Sequence, residues 1–165
     1  MSNSKLKTSW FPNTSQKEFN ILLLGKSGHG KSTWINSIIN FYKFGTLENA
    51  LNHKPECIIP TCFEIPDVSG DYKMYPVTVG QKNDNERLEL AKSSTQKPQV
   101  YSLKLDDVVV NFIDVPGILD DRGTEQDEIN MRNILDTVGL FKNLHAICIM
   151  LNATESVMST AYVYR

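Results

Sequence analysis

The chain has 165 residues, of which 41% are hydrophobic and 22% charged, with a net charge of -2. That length suits one domain, and the apolar content excludes a wholly disordered chain. The absence of a basic surplus argues against nucleic acid or an anionic membrane surface as the partner.

Residues 1–17 are polar and hold no apolar core segment, so no signal peptide is read there. The longest apolar run, 146–151, is too short to span a bilayer. These features read as a soluble, cytoplasmic protein without a transmembrane segment. The cysteines, Cys57, Cys62 and Cys148, are odd in number and widely spaced, which fits no disulfide scaffold. His53, Cys57 and Cys62 lack a fourth neighbour for a closed zinc site.

In chain order, residues 1–18 read as a flexible polar lead-in and 19–165 as one partial domain. The run FNILLL over 19–24 ends at Gly25 and reads as a buried parallel strand. After a glycine-rich loop, Trp34, Ile38 and Tyr42 repeat at helical spacing, as do Ile35 and Ile39, so 31–42 is a helix that Gly45 stops. The stretch 44–98 holds Pro55, Pro60, Pro66, Pro76 and Pro98 and reads as an irregular insertion, with a short strand over 75–79 and a short helical piece over 85–92. Tyr101, Leu103 and Leu105 alternate with Ser102 and Lys104; with the turn Asp106-Asp107 and the apolar run 108–113 they form an antiparallel hairpin at a sheet edge. Thr124, with Asp127 as capping-box partner, opens a helix whose buried face is Met131, Ile134, Leu135 and Val138, and Gly139 closes it. A last buried strand covers 144–151. The order of elements indicates an α/β sheet with helices packed on both faces.

Gly25-Lys26-Ser27-Gly28-His29-Gly30-Lys31-Ser32 matches G-x-x-x-x-G-K-[ST] in full. Glycines let the backbone wrap so that amides point at the phosphates of a nucleotide, and the following helix adds its positive dipole end. Lys31 supplies a point charge to the β- and γ-phosphates, and the Ser32 hydroxyl is a Mg²⁺ ligand. A chance match in this length is about one in 200 at average residue usage. The side chains of Lys26 and His29 fall on variable positions and read as solvated. Asp114, at the end of the strand 108–113, is placed to hold the metal, and Gly117 can bring its amide next to a γ-phosphate. The alternative, a bare Asp-x-Pro-Gly turn, loses weight once the upstream loop is present.

The stretch 25–38, GKSGHGKSTWINSI, resembles the first motif of septin-like GTPases, in particular their immunity-associated paraseptin branch; Thr33 and Asn36 fit that pattern. Asp114-Val115-Pro116-Gly117 resembles the family's Asp-x-Pro-Gly motif. The resemblance implies a P-loop NTPase fold of the Ras-like G-domain type, a three-layer α/β/α sandwich incomplete at its C-terminus. It implies GTP or GDP as ligand with Mg²⁺, and a nucleotide-dependent homodimer. It also implies a switch threonine, for which Thr95 is chosen over Thr61 and Thr78 because it directly precedes the hairpin. The implied site is thus Lys31 and Thr95 as catalytic residues; Gly25, Lys26, Ser27, Gly28, His29, Gly30, Lys31, Ser32, Thr33, Asp114 and Gly117 around the nucleotide; and Ser32, Thr95 and Asp114 at the metal.

Two departures stand out. Ile118 follows Gly117 where Ras-like GTPases carry a glutamine, which implies slow hydrolysis; Arg122 is a candidate arginine finger but reads better as a solvated loop charge. The guanine-reading motif does not follow the strand 144–151, where Asn152 and Glu155 do not form it, so the chain is expected to be a fragment. Three readings stay open: a slow switch GTPase, a non-catalytic nucleotide-binding or interaction module, and a P-loop ATPase or small-molecule kinase.

Overall fold

A computed structural model describes residues 17–80, 95–118 and 124–154. The apolar run after Glu18 becomes strand β1 (Lys17–Gly25), which starts two residues before the expected strand. The Asp106-Asp107 turn, with Asp106 at φ 47°, joins β4 (Gln99–Leu105) to β5 (Val108–Asp114) in antiparallel register. β1 pairs in parallel with β5 on one side and with β6 (Ala146–Met150) on the other, so the main sheet has the order β4-β5-β1-β6. The hairpin thus stands at the edge of the sheet, as its alternation indicated.

Side chains alternate across the two central strands, and each face receives one helix. Leu23 and Phe112 point to one side and pack with Ile35 of helix α1 (Lys31–Phe44) and with Ile59. Leu22 and Ile113 point to the other side and pack with Val115 and with Ile134 of helix α3 (Thr124–Gly139). The helices therefore cover opposite faces of an α/β sheet, and burial of each such aliphatic side chain is worth about 1.5–3 kcal/mol. Helix α1 stops at Gly45 (φ 71°), whose amide returns to the Phe41 carbonyl at 2.8 Å.

A polar ladder crosses the sheet at one register level on the α3 side. The Asn111 amide donates to Asn20 Oδ1 (2.7 Å), Ser102 donates to Asn111 Oδ1 (2.6 Å), and the Asn20 amide donates to the Asn143 carbonyl (3.0 Å). Asn20 and Asn111 are buried, so a one-residue slip of either strand would orphan these groups, and the ladder holds the register.

Three sequence expectations need correction. The stretch 44–98 contains regular structure: helix α2 (Leu47–Leu51), capped by Thr46, and an antiparallel pair of strands, β2 (Thr61–Pro66) and β3 (Met74–Val79). The strand over 75–79 belongs to β3, whereas β2 was unforeseen because Pro60 and Pro66 bracket it; a two-stranded ribbon has only edge strands, where proline is tolerated. The helical piece over 85–92, Arg122 and the side chain of Thr124 lie outside the described residues. On α3, Ile134 and Val138 do pack inward, but Met131 and Leu135 are exposed and the buried face runs through Asn130 instead. Among the described residues β6 is an edge strand: Cys148 packs toward α1, while Ile147 and Ile149 are more than half exposed on the α3 side.

The chain leaving α2 is fastened back onto α1 by two asparagines one helical turn apart. Asn36 accepts from the amides of Ile58 and Ile59 (both 3.1 Å) and donates to the Ile59 carbonyl (2.8 Å). Asn40 donates to the Glu56 carbonyl (2.7 Å) and accepts from its amide (2.9 Å), and Lys43 pairs with Glu56. This clasp places Ile59, fully buried, against Leu23 and Phe112. Replacing Asn36 by alanine leaves the Ile58 and Ile59 amides without their acceptor and the Ile59 carbonyl with the Cys57 thiol (3.1 Å) in place of the amide donor, so we expect a loss of about 2–3 kcal/mol in urea unfolding; Ser37→Ala, on the solvent side of the same helix, should stay within about 0.5 kcal/mol.

Candidate functional site

The site lies where β1 and β5 end and α1 begins. Gly28 (φ 78°) and Gly30 (φ 81°) take left-handed conformations that only glycine adopts without strain, and they turn the chain from β1 into the helix. The amide of His29 closes the turn on the Lys26 carbonyl at 3.2 Å, and the Trp34 amide makes the first helical bond, to Gly30. The amides of Gly28, Gly30, Lys31, Ser32 and Thr33 donate to no carbonyl or side chain among the described residues. They form a row of unpaired donors at the positive end of the α1 dipole, which is a ready anion seat.

Lys31 is turned inward beneath that row. Its Nζ donates to the carbonyls of Gly25 (3.0 Å) and Lys26 (3.3 Å), and the residue is buried. Burial pushes its pKa below the ordinary lysine value, and the negative charge of Asp114 works the other way. Asp114, the last residue of β5, has no solvent exposure. Burial raises its pKa; the Ser32 hydroxyl, the Lys31 charge, the Val115 amide and the Thr95 hydroxyl oppose the rise. The two charges are taken out of water on either side of one small space.

Ser32, Thr95 and Asp114 meet there. Ser32 donates to Asp114 Oδ2 at 2.7 Å, and Ser32 Oγ lies 3.3 Å from Thr95 Oγ1. Thr95 is buried although it follows the long stretch between α1 and β4, whereas Thr61 and Thr78 sit on the β2–β3 ribbon. Asp114 Oδ1 has no hydrogen-bond partner among the described residues. An orphaned buried carboxylate oxygen beside two hydroxyls is a set of hard oxygen donors, and it fits a Mg²⁺ ion completed by phosphate oxygens and water. Among the described residues no three His, Cys, Asp or Glu side chains gather to hold an ion by themselves.

The segment after Asp114 presses against the loop. Ile118 donates to the Gly25 carbonyl at 3.2 Å and pairs with Lys26 in an isolated parallel bridge. Within the strands β1 and β5 are offset by 91 positions (Lys17 opposite Val108), and at the bridge the offset is 92, so one extra residue bulges out around Pro116. A side chain on Gly117 would have its Cβ 2.3 Å from the Ser27 nitrogen; only glycine permits this approach. Gly25 is similarly confined, with the Met150 carbonyl 2.8 Å from any added Cβ.

All the anticipated loop residues are therefore gathered at one place with Thr95, Asp114 and Gly117. Thr33 sits on the first turn of α1 with its side chain exposed, and contributes through its amide. His29 departs from the solvated reading: its ring Nδ1 lies 3.3 Å from the Met150 carbonyl. No signal in the sequence pairs these residues, since they are far apart in the chain and the contact depends on β6 lying beside β1. No family model matches the chain, and no curated protein matches it either.

Two outcomes follow. Asp114 has a folded pKa above its unfolded value of 3.8, so its burial destabilises the ligand-free protein at neutral pH, and the penalty fades as pH falls toward 3.8. Asp114→Asn should therefore be more stable than the native chain at pH 7.5, with a margin that shrinks at pH 5, as read by urea midpoints at the two pH values. Gly117→Ala must push the 114–118 segment off the loop, and we expect a loss of about 2 kcal/mol or more in the same assay.

Proposed function

We propose that this chain is a switch-type GTP-binding domain of the septin-like P-loop class that hydrolyses GTP slowly. The observation that carries the reading is Lys31: a buried ammonium held under a row of unpaired amides, opposite the Ser32–Thr95–Asp114 oxygen cluster. A polyphosphate supplies the negative charge that Lys31 and the amides lack, and Mg²⁺ supplies the positive charge that Asp114 lacks. Ser32, Thr95 and Asp114 would hold the ion, which neutralises phosphate oxygens and aligns them for attack by water. The chain's own part is to seat the phosphates on the amides of Gly28 and of 30–33, to fix their tail with Lys31, and to bring the Gly117 amide to the terminal phosphate.

The guanine preference rests on the resemblance of the loop and of Asp114-Val115-Pro116-Gly117 to septin-like GTPases, as does a nucleotide-dependent homodimer; a cytoplasmic location rests on the polar residues 1–17 and the shortness of the apolar runs. No helix among the described residues is long and apolar enough to cross a membrane.

A second reading, a nucleotide-binding interaction module without turnover, has its own support. Ile118 stands where a water-orienting side chain would serve hydrolysis; its side chain is apolar and its amide is engaged with Gly25. Titration calorimetry of the full chain with GTP, GDP and ATP in the presence of Mg²⁺ tests the primary reading. We expect micromolar or tighter binding of GTP and GDP, ATP weaker by at least about tenfold, and a loss of about 100-fold or more in Lys31→Ala, on the scale of a charge-assisted contact removed from a buried site. Equal affinity for ATP, or no binding by a folded chain, would overturn it. Multiple-turnover phosphate release abolished in Lys31→Ala would remove the interaction-module reading.

A further inference from the structure

We propose that His29 is a positioning residue that braces the crest of the glycine-rich loop against the end of β6, so that the amide row is shaped before a polyphosphate arrives. The inference rests on the phosphate-binding reading above and adds to it a role for a side chain at a variable position of the motif.

Three contacts set the curvature of this loop. Its start is held by strand pairing, with Gly25 opposite Met150. Its floor is held by Lys31, which gathers the Gly25 and Lys26 carbonyls. Its crest is held by His29, whose amide closes onto Lys26 and whose ring reaches Met150. A carbonyl oxygen has only lone pairs to offer, so Nδ1 is the protonated nitrogen and donates to Met150.

The position of His29 in the loop gives the contact its effect. It stands between Gly28 and Gly30, the two left-handed residues that aim the neighbouring amides. Glycines have the widest backbone freedom and lose the most entropy when fixed. A side-chain tether between the two restrains both sets of torsions at once and lowers the ordering cost that a ligand would otherwise meet. The same Met150 carbonyl that limits Gly25 to a glycine also receives the ring, so the start and the crest of the loop are referenced to one atom of β6. Among the described residues β6 pairs with β1 alone, so the brace also makes the loop sensitive to the placement of this strand.

The test compares His29→Ala and His29→Asn with the native chain, with Lys31→Ala as control, using Mg²⁺–GDP and Mg²⁺–GTP as probes. Each dissociation constant and release rate is measured, together with thermal unfolding of the ligand-free proteins. His29→Ala should weaken both nucleotides by about five- to tenfold, the loss of one neutral hydrogen bond, mainly through faster release. The ligand-free melting temperature should stay within about 2 °C, because a crest contact on a solvent-facing loop carries little of the global stability. His29→Asn, which keeps a donor of similar reach, should recover at least half of the loss on a logarithmic scale. Native affinity in His29→Ala, or a loss that His29→Asn does not reduce, would overturn the brace. If the native chain binds neither nucleotide, the phosphate-binding reading itself fails; binding that is lost in Lys31→Ala and kept in His29→Ala removes only the role of His29.

Discussion

The structure is organised around a buried ammonium group. Lys31 cannot leave its charge unsolvated, so the chain bends two carbonyls, of Gly25 and Lys26, down to meet it. Beyond these two carbonyls, the amides of Gly28, Gly30, Lys31, Ser32 and Thr33 form the row without partners among the described residues. Asp114 completes the balance with a charge of opposite sign that is equally removed from water. Each group lies in a position where its ionised form is disfavoured and only partly compensated by the other. Such pairs contribute little to stability on their own and cluster at sites that bind charged ligands.

The rest of the fold serves to hold these groups at the required spacing. Lys31 comes from the first turn of α1 and Asp114 from the last residue of β5; β1 between them fixes the interval. The Asn20–Asn111–Ser102 ladder makes a slip of β1 against β5 costly, and a slip of one residue would carry Asp114 to the wrong face. Thr95 arrives from a different direction, after the chain has been tied to α1 by Asn36 and Asn40 and has passed through the β2–β3 ribbon. The site therefore combines residues from neighbouring strands with Thr95, which enters from the segment just before β4.

What the sequence disclosed divides along the same line. The strand, loop and helix at 17–44 were legible because local pattern dictates them: a continuous apolar run, glycines at the turn and helical spacing of Trp34, Ile35, Ile38 and Ile39. The β4–β5 hairpin was legible for the same reason, and Thr95 could be chosen from its place just before it. The ribbon at 61–79 was hidden because its prolines argue against a central strand, and nothing in composition separates an edge ribbon from a loop. The inward face of α3 was misassigned because a buried asparagine, Asn130, takes a position that hydrophobicity gives to leucine or methionine. β6 looked buried because its composition is uniformly apolar, while burial depends on neighbours that a strand sequence does not specify. His29 against Met150 is the extreme case, a contact made only by the pairing of β6 with β1.

Gly117 shows how backbone geometry limits the chemistry that such a site can perform. Its approach to Ser27 is closer than any side chain allows, and the segment carrying it is pinned one residue later by Ile118 on Gly25. The bulge at Pro116 makes that pinning possible: proline has no amide to continue the β1–β5 ladder, so the chain gains a residue and re-engages at Lys26. The arm thus lies against the loop through the close approach of Gly117 to Ser27 and the bond from Ile118 to Gly25, and the side chain at position 118 is aliphatic. On the proposed reading, a terminal phosphate would be sensed through the amides of this arm, next to the Ile118 hydrogen bond to Gly25. The site has no side chain at position 118 to hold a water molecule for attack. On the proposed reading, binding and sensing would be served by the backbone, and rapid turnover would need a polar group from elsewhere.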